Sequence, residues 1–162
     1  MRPKPALRAL LTGLAIALAA FLSAGQTASA GGRIWESITI GEFLHIMNSE
    51  GLTAEIIAAE DGTQFIRWTI DGLVSTISFN NDNMLLAFYT ASADTFSSLE
   101  EMNQWNRSHR LSRAYIDEDG DPCLESDLDF EGGILEDRIK DWLASVQRSV
   151  QGWKEDVLDR VR

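Results

Sequence analysis

The sequence has few of the residues that cross-link small exported proteins or catalyse reactions. Among its 162 residues there is one cysteine, Cys123, so an internal disulfide is excluded and stability must come from an apolar core or from association. There are two histidines, His45 and His109, and no Gly-x-Ser-x-Gly, His-Glu-x-x-His or Gly-Lys-Ser/Thr segment. These absences predict a protein that is not an enzyme and that uses no cofactor or metal.

The N-terminus has the pattern of a secretory leader. A basic region is followed by an uncharged apolar run over residues 9–24 and by Ala-Ser-Ala at 28–30; the basic side chains are Arg2, Lys4 and Arg8. We predict that residues 1–30 are a signal peptide cleaved after Ala30 and that the mature protein is periplasmic or secreted. The apolar run is shorter than the roughly 20 residues that span a bilayer, so a retained membrane anchor is the less favoured alternative.

The charge is strongly negative once the leader is removed. The leader contains three of the 14 lysines and arginines and none of the 25 aspartates and glutamates, which leaves residues 31–162 with a net charge of −14. A surface this acidic repels nucleic acid and anionic lipid and keeps the protein soluble. We therefore expect no nucleic-acid partner.

Hydrophobic periodicity predicts one domain over residues 33–162. The first helix begins after Thr39, which has capping-box spacing with Glu42, and it ends at Gly51. From residue 53 to 92 the apolar period changes to two and turn residues recur at short intervals, which predicts four antiparallel strands. The run at 84–90 is apolar almost throughout, and we expect it to be the most buried strand.

The second half adds a helix, two strands and a closing helix. Ser97 and Glu100 have the spacing of a second capping box, and Asp119-Gly120 predicts the turn between the two strands. The order α-ββββ-α-ββ-α indicates an α+β fold, with helices packed on an antiparallel sheet.

The closing helix is expected to run from about Leu135 to Val161. Its apolar positions repeat at spacings of three and four, which predicts one buried stripe. Trp142 and Leu158 lie beside that stripe and widen it. The helix therefore either covers a broader core or presents a partner surface made of Trp142, Trp153 and Leu158.

Residues 115–130 are rich in carboxylates: Asp117, Glu118, Asp119, Asp121, Glu125, Asp127 and Asp129. Their spacing is partly that of a calcium-binding EF-hand loop, but Pro122 and Leu128 stand where that loop requires Gly and Glu. Weak cation binding at the turn stays open. The alternative function is therefore a small periplasmic metal-binding protein or hydrolase that uses residues 117–129.

The same stretch has the alternation of a hairpin. A two-residue turn at Asp119-Gly120 pairs neighbouring strands as Tyr115 with Leu124, Ser112 with Asp127 and Arg110 with Asp129. In the second strand one side then faces the core and the other faces solvent; the core side is Leu124, Ser126, Leu128 and Phe130. We predict an acidic hairpin with a structural role.

Two features near this hairpin have alternative interpretations. A basic patch, Arg107, His109, Arg110 and Arg113, either pairs with the acidic hairpin or binds an acidic partner segment or a phosphate group. Cys123 is either a small apolar side chain near the turn or the site of an intermolecular disulfide.

Residues 103–133 combine a helix that ends in an Asn-x-x-Asn segment, an Arg-x-Tyr strand, an acid-and-glycine turn, and a return strand with spaced Leu and Asp before Gly-Gly. The positions that carry this pattern are Asn103, Trp105, Asn106, Arg113, Tyr115, Gly120, Leu124, Asp127, Leu128 and Gly133. In this combination the segment resembles the YbjN family. The layout over residues 37–150 is similar to the same family.

The resemblance implies a fold similar to type III secretion chaperones, compact α+β modules that commonly dimerise and bind extended partner segments. It also implies a sensory transduction regulator without catalytic residues or a cofactor. We therefore predict a non-enzymatic, exported binding or regulatory module of the YbjN type. It acts on an unknown protein partner, either alone or as a homodimer.

Overall fold

The computed structural model describes residues 32–80, 82–93 and 95–159. The signal peptide predicted for residues 1–30 lies outside them and stays a prediction. The described residues form an α+β fold in which helices pack against an antiparallel sheet, which confirms the predicted fold class. Within these residues, no helix has both the length and the apolar character that crossing a bilayer requires.

The elements of the described chain follow the predicted order with two additions. They are β1 (Ile34–Trp35), α1 (Ile40–Ser49), β2 (Ala54–Ala58), β3 (Gln64–Ile70), β4 (Leu73–Asn80), β5 (Leu85–Ala91), α2 (Leu99–Ser108), β6 (Arg113–Ile116), β7 (Pro122–Asp129), β8 (Ile134–Leu135) and α3 (Glu136–Trp153), which continues as a π-helical turn (Lys154–Leu158). The additions, β1 and β8, pair with each other in a two-stranded sheet. Strands of two residues are too short to show a period.

The other six strands of the described chain form one antiparallel sheet in the order β2-β3-β4-β5-β7-β6. The central strand β5 has no exposed residue, although β7, and not β5 as predicted, has more buried residues. Alternate side chains of the sheet face the helices and form the core, among them Ile66, Trp68, Ile70, Ile77, Leu86, Phe88, Leu124 and Leu128. These positions confirm the core side predicted for β7.

The first helix, α1, begins with a side-chain cap and packs against both the sheet and α3. Thr39 and Glu42 form the predicted capping box, in which the Glu42 N–H donates to Thr39 Oγ1 at 3.3 Å and the Thr39 N–H donates to Glu42 Oε2 at 3.1 Å. One turn later, the Phe43 ring lies 5.8 Å from Phe79 of β4 and 6.2 Å from Trp142 of α3. Helix α1 is thus fixed between the sheet and α3.

The second capping box is shifted by one residue from its predicted position. Ser98, rather than Ser97, caps α2, and its N–H donates to Glu101 Oε2 at 2.7 Å. Two overlapping Ser-x-x-Glu sequences compete here, and the local sequence does not decide between them. Ser97 is instead buried, and its hydroxyl has no hydrogen-bond partner among the described residues.

Of the two alternatives for the widened stripe on the closing helix, the described fold supports the broader core over the partner surface. Trp142, Trp153 and Leu158 are 2%, 0% and 8% exposed and belong to the core. Helix α2 covers Trp153, whose ring lies 5.3 Å from Trp105, and the π-helical turn directs two consecutive side chains, Val157 and Leu158, inward.

The end of α3 is also tied to the turn between β3 and β4. Lys154 Nζ lies 2.8 Å from the carbonyl oxygen and 3.0 Å from Oδ2 of Asp71, in the turn between β3 and β4.

Candidate functional site

The sheet face that points away from the helices carries ionisable side chains on β5, β7 and β6. Tyr89, Glu125 and Arg113 lie side by side in register across these strands. Cys123 and Tyr115 are paired in the next row, toward the hairpin. We call these five residues the sheet-face cluster.

Hydrogen bonds hold the cluster together. The Arg113 guanidinium forms an ion pair with Glu125, and the Tyr115 hydroxyl donates to the other oxygen of the same carboxylate. The Tyr89 hydroxyl lies 3.2 Å from Cys123 Sγ. Of the basic patch, Arg113 pairs with the acidic hairpin through Glu125, whereas Arg107 pairs with Glu100 of α2.

The thiol of Cys123 is buried and not part of a disulfide. Sγ donates to Asp117 Oδ2 at 3.3 Å, and burial raises the pKa of the thiol to about 11. Burial also raises the pKa values of Tyr89 and Tyr115 above their ordinary range. These groups stay protonated at neutral pH, so the cluster offers no activated nucleophile, and the buried thiol is not placed to form an intermolecular disulfide.

The hairpin beside the cluster has a register one residue away from the predicted one. Tyr115 pairs with Cys123, and Ala114 pairs with Leu124. The predicted pairs Tyr115–Leu124, Ser112–Asp127 and Arg110–Asp129 are therefore wrong. The side chains of β7 still alternate as expected, because alternation does not depend on which residues are paired.

The turn explains the shift in register. The Asp117 N–H donates to the Asp121 carbonyl at 3.0 Å and the Gly120 N–H donates to the Asp117 carbonyl at 3.1 Å. The loop therefore has three residues, and its last residue, Gly120, takes the left-handed φ of 89°. A three-residue loop closes the hairpin one position away from the two-residue turn that Asp-Gly usually favours.

The carboxylates of the stretch 117–129 do not converge on one point. Asp117 Oδ1 accepts the N–H groups of Asp119 at 3.0 Å and Asp121 at 2.9 Å, and the backbone N–H of Asp121 holds the pKa of Asp117 below its ordinary value. Asp127 and Asp129 are exposed on β7. Across the part of the chain that is described, no group of His, Cys, Asp and Glu is arranged to hold a metal ion. This arrangement gives no support to the metal-binding or hydrolase alternative.

The two edges of the six-stranded sheet differ. At the β6 edge, the Asn106 side chain on α2 hydrogen-bonds both backbone groups of Ala114. At the other edge, the outer side of β2 pairs with no other strand of the described chain. The free edge of β2 is therefore the place where the sheet can accept another strand.

Residues 40–159 match the model of the YbjN family, which carries the description "Putative bacterial sensory transduction regulator". The chain belongs to the YbjN family. The crystal structure of YbjN from E. coli, described as "a putative transcription regulator", has a TM-score of 0.59 and 11% sequence identity, and the match covers 78% of this chain and 98% of that chain. The shared fold confirms the expected family resemblance.

Another solved structure of similar layout is the Yersinia pestis type III secretion chaperone SycH in complex with a stable fragment of YscM2. Its TM-score is 0.46 at 21% identity, over 67% of this chain and 94% of that chain. No curated protein matches the sequence of this YbjN family member.

The positions that carried the YbjN resemblance serve mainly the fold. Trp105 is buried and its Nε1 donates to Ser112 Oγ at 3.1 Å, which ties α2 to the start of β6. Leu124 and Leu128 belong to the core, and Gly120 and Gly133 have positive φ. Asn103 and Asp127 are exposed.

Two residues of the charged surface were not identified from the sequence. Tyr89 was counted only as part of an apolar strand, although its outward position follows from alternation in β5. Arg148 on α3 lines a cleft with Arg110, and no sequence signal connects them, because the elements that carry them meet only in the folded chain.

Proposed function

We propose that this YbjN family member is a non-enzymatic regulatory module that works outside the cytoplasm and binds an extended segment of a protein partner along the outer edge of β2. The difference in hydrogen bonding between the two edges of the sheet supports the proposal. Asn106 occupies the middle of the β6 edge, whereas β2 offers five residues to an added strand.

The backbone of β2 is suited to this role. The Ala59 N–H donates to the Thr63 carbonyl at 2.8 Å, which fixes the alternation of hydrogen bonds in the β2–β3 ladder. The N–H and C=O groups of Ala54, Ile56 and Ala58 then point away from β3. An extended segment can pair with these groups without disturbing the existing sheet.

The side chains beside this edge add apolar contacts on both faces. Ile56 is 36% exposed, and Ile57 and Phe65 lie half-buried next to each other on the opposite face. The ion pair between Arg67 and Glu55, at 2.6 Å, is exposed beside them. A partner strand with apolar side chains on both of its faces would bury Ile56 on one face of the sheet and Ile57 on the other.

A proline substitution tests the edge directly. Ala58→Pro removes an outward N–H and leaves the β2–β3 ladder intact, and Ala93→Pro makes the same change at an exposed turn residue. The variants are immobilised and incubated with periplasmic extract, and retained proteins are quantified by mass spectrometry. We expect wild type and Ala93→Pro to retain a specific partner. Ala58→Pro should retain at least about tenfold less of that partner, because the three outward N–H donors of β2 are reduced to two.

A crosslinking measurement completes the test. A photo-reactive residue at position 56 should label one extended segment of the same partner. Undiminished retention by a folded Ala58→Pro variant would contradict binding at this edge.

A further inference from the structure

A cleft of about 450 Å³ opens between the end of α2 and one face of α3. One wall is the segment from Ser108 to Leu111, and the other is the turn of α3 that carries Ser145, Arg148 and Ser149. The His109 ring is held in place by stacking on Trp105, with ring centroids 3.5 Å apart and an angle of 10°. One wall of the cleft is therefore anchored to the core residue Trp105.

Two arginines of this cleft form no ion pair among the described residues. Six of the other seven lysines and arginines of the described residues form ion pairs: Arg33, Arg67, Arg107, Arg113, Lys140 and Lys154. Within the described ranges, Arg110 and Arg148 have no carboxylate partner, although the whole chain has a net charge of −11. No carboxylate lines the cleft, so two permanent positive charges share it and would be stabilised by a bound anion.

We propose that this cleft binds the phosphate group of a small phosphorylated ligand. Guanidinium groups match the geometry of phosphate oxygens, and Arg148 Nη2 donates to Ser145 Oγ at 3.0 Å, which orients it. The hydroxyl of Ser149 supplies a further donor beside the arginines. The exposed side chain of Leu111 offers an apolar contact for the remainder of the ligand.

The surroundings favour a compact anion over an acidic peptide. An adjoining cleft on one side contains Glu125 and Asp127, and another that shares His109 contains Glu101 and Asp156. A long acidic segment that crossed the cleft would meet these carboxylates, whereas a single phosphate group would not. The volume lies within the roughly 300–1,000 Å³ of small-molecule sites. The cleft is separate from β2, so this proposal does not depend on the proposed function.

Calorimetry with two probes tests the site. Inorganic phosphate and phenyl phosphate are titrated into the wild-type protein and into Arg110→Gln, Arg148→Gln and Arg138→Gln. Arg138 is a matched control, because it is an exposed arginine on α3 outside the cleft lining. We expect phenyl phosphate to bind, Arg110→Gln and Arg148→Gln each to weaken it about tenfold or more, and Arg138→Gln to leave it unchanged.

The outcomes separate the alternatives. Inorganic phosphate binding as tightly as phenyl phosphate supports the site and assigns it to free phosphate. No heat with either probe at millimolar concentration overturns the proposal. Equal weakening of binding by all three variants would also overturn it, because that result would indicate only the general electrostatic field of the protein. Displacement of phenyl phosphate by a lower concentration of polyglutamate would overturn it as well.

Discussion

The side-chain amide of Asn106 pairs with the backbone of Ala114 as a neighbouring strand would. The Ala114 N–H donates to Asn106 Oδ1 at 2.8 Å, and Asn106 Nδ2 donates to the Ala114 carbonyl at 2.9 Å. A residue on helix α2 thus closes the middle of the β6 edge. The same pair of bonds fixes the helix against the sheet.

Replacing Asn106 should loosen this connection. We expect Asn106→Ala to lower the free energy of unfolding by about 1–2 kcal/mol, because two backbone groups lose their partner. Urea unfolding followed by tryptophan fluorescence measures the change. Asn103→Ala, on the same helix and exposed, should stay within about 0.5 kcal/mol of wild type. Equal effects of the two substitutions would show that the paired bonds contribute little.

Gly133 and Gly132 offer a matched test of a close approach. Both have positive φ, 83° and 79°, but a Cβ at Gly133 would lie 2.5 Å from Ile34 Cγ2, whereas a Cβ at Gly132 meets nothing within 4 Å. Gly132→Ala should cost about 1–2 kcal/mol of stability from backbone strain alone. Gly133→Ala should cost about 1 kcal/mol more, because Ile34 must leave its rotamer. Equal decreases in the melting temperature of the two variants would mean that β1 can move away from position 133 without loss of stability.

A buried hydrogen bond joins α3 to the core side of β7. Trp142 Nε1 donates to Ser126 Oγ at 3.0 Å, and Ser126 Oγ donates to the Leu111 carbonyl at 2.7 Å. Ser126→Ala should destabilise the fold by about 1–3 kcal/mol, since the indole N–H is left without an acceptor. In a Trp142→Phe background the same substitution should cost less. A double-mutant cycle by denaturant unfolding measures this coupling, and strictly additive losses would argue against it.

The pKa of Cys123 predicts how stability depends on alkaline pH. Burial raises this pKa from its ordinary value of 9.0 to about 11, so between these values the folded protein keeps a proton that the unfolded chain has lost. The free energy of unfolding should therefore fall as pH rises above 9, by at most roughly 1.4 kcal/mol per pH unit from this thiol. Tyr89 and Tyr115, whose pKa values burial also raises, add to the fall above pH 10.

Unfolding titrations across this pH range, repeated with Cys123→Ala, isolate the contribution of the thiol. The variant should show a shallower decline. An identical pH dependence in both proteins would rule out the thiol as a source.

The predicted leader sequence gives a separate prediction about processing. We expect the exported protein to begin at Gly31, as measured by intact mass and N-terminal sequencing. Ala30→Arg should block cleavage, because the peptidase requires a small residue there, whereas Ser29→Gln at the tolerant middle position should be processed normally. Recovery of the chain from the cytoplasm with its N-terminal residues intact would contradict export.

The faces of the strands could be predicted from sequence because alternation is local. Ile66, Trp68 and Ile70 point into the core for that reason. The register of the β6–β7 hairpin could not be predicted, because it depends on a turn in which the Asp117 carboxylate binds two N–H groups and Gly120 takes a positive φ. Asp-Gly alone is compatible with loops of two or three residues.

The candidate sites depend on long-range packing and were only partly predictable. The stripe on α3 indicated large apolar side chains but not what covers them. Trp153 could therefore be assigned to a partner surface, although in the fold it packs on Trp105. The basic patch was visible as neighbouring residues in sequence. Arg148 joins Arg110 only through the packing of α3 beside the end of α2.

The contact between Lys154 and Asp71 joins residues that are 83 positions apart. During synthesis, the turn that contains Asp71 leaves the ribosome long before the helical segment that carries Lys154. Such distant closure slows folding, because the intervening chain must be ordered before the contact forms. The turn that contains Asp71 therefore lacks this partner until the last helix of the chain has been made.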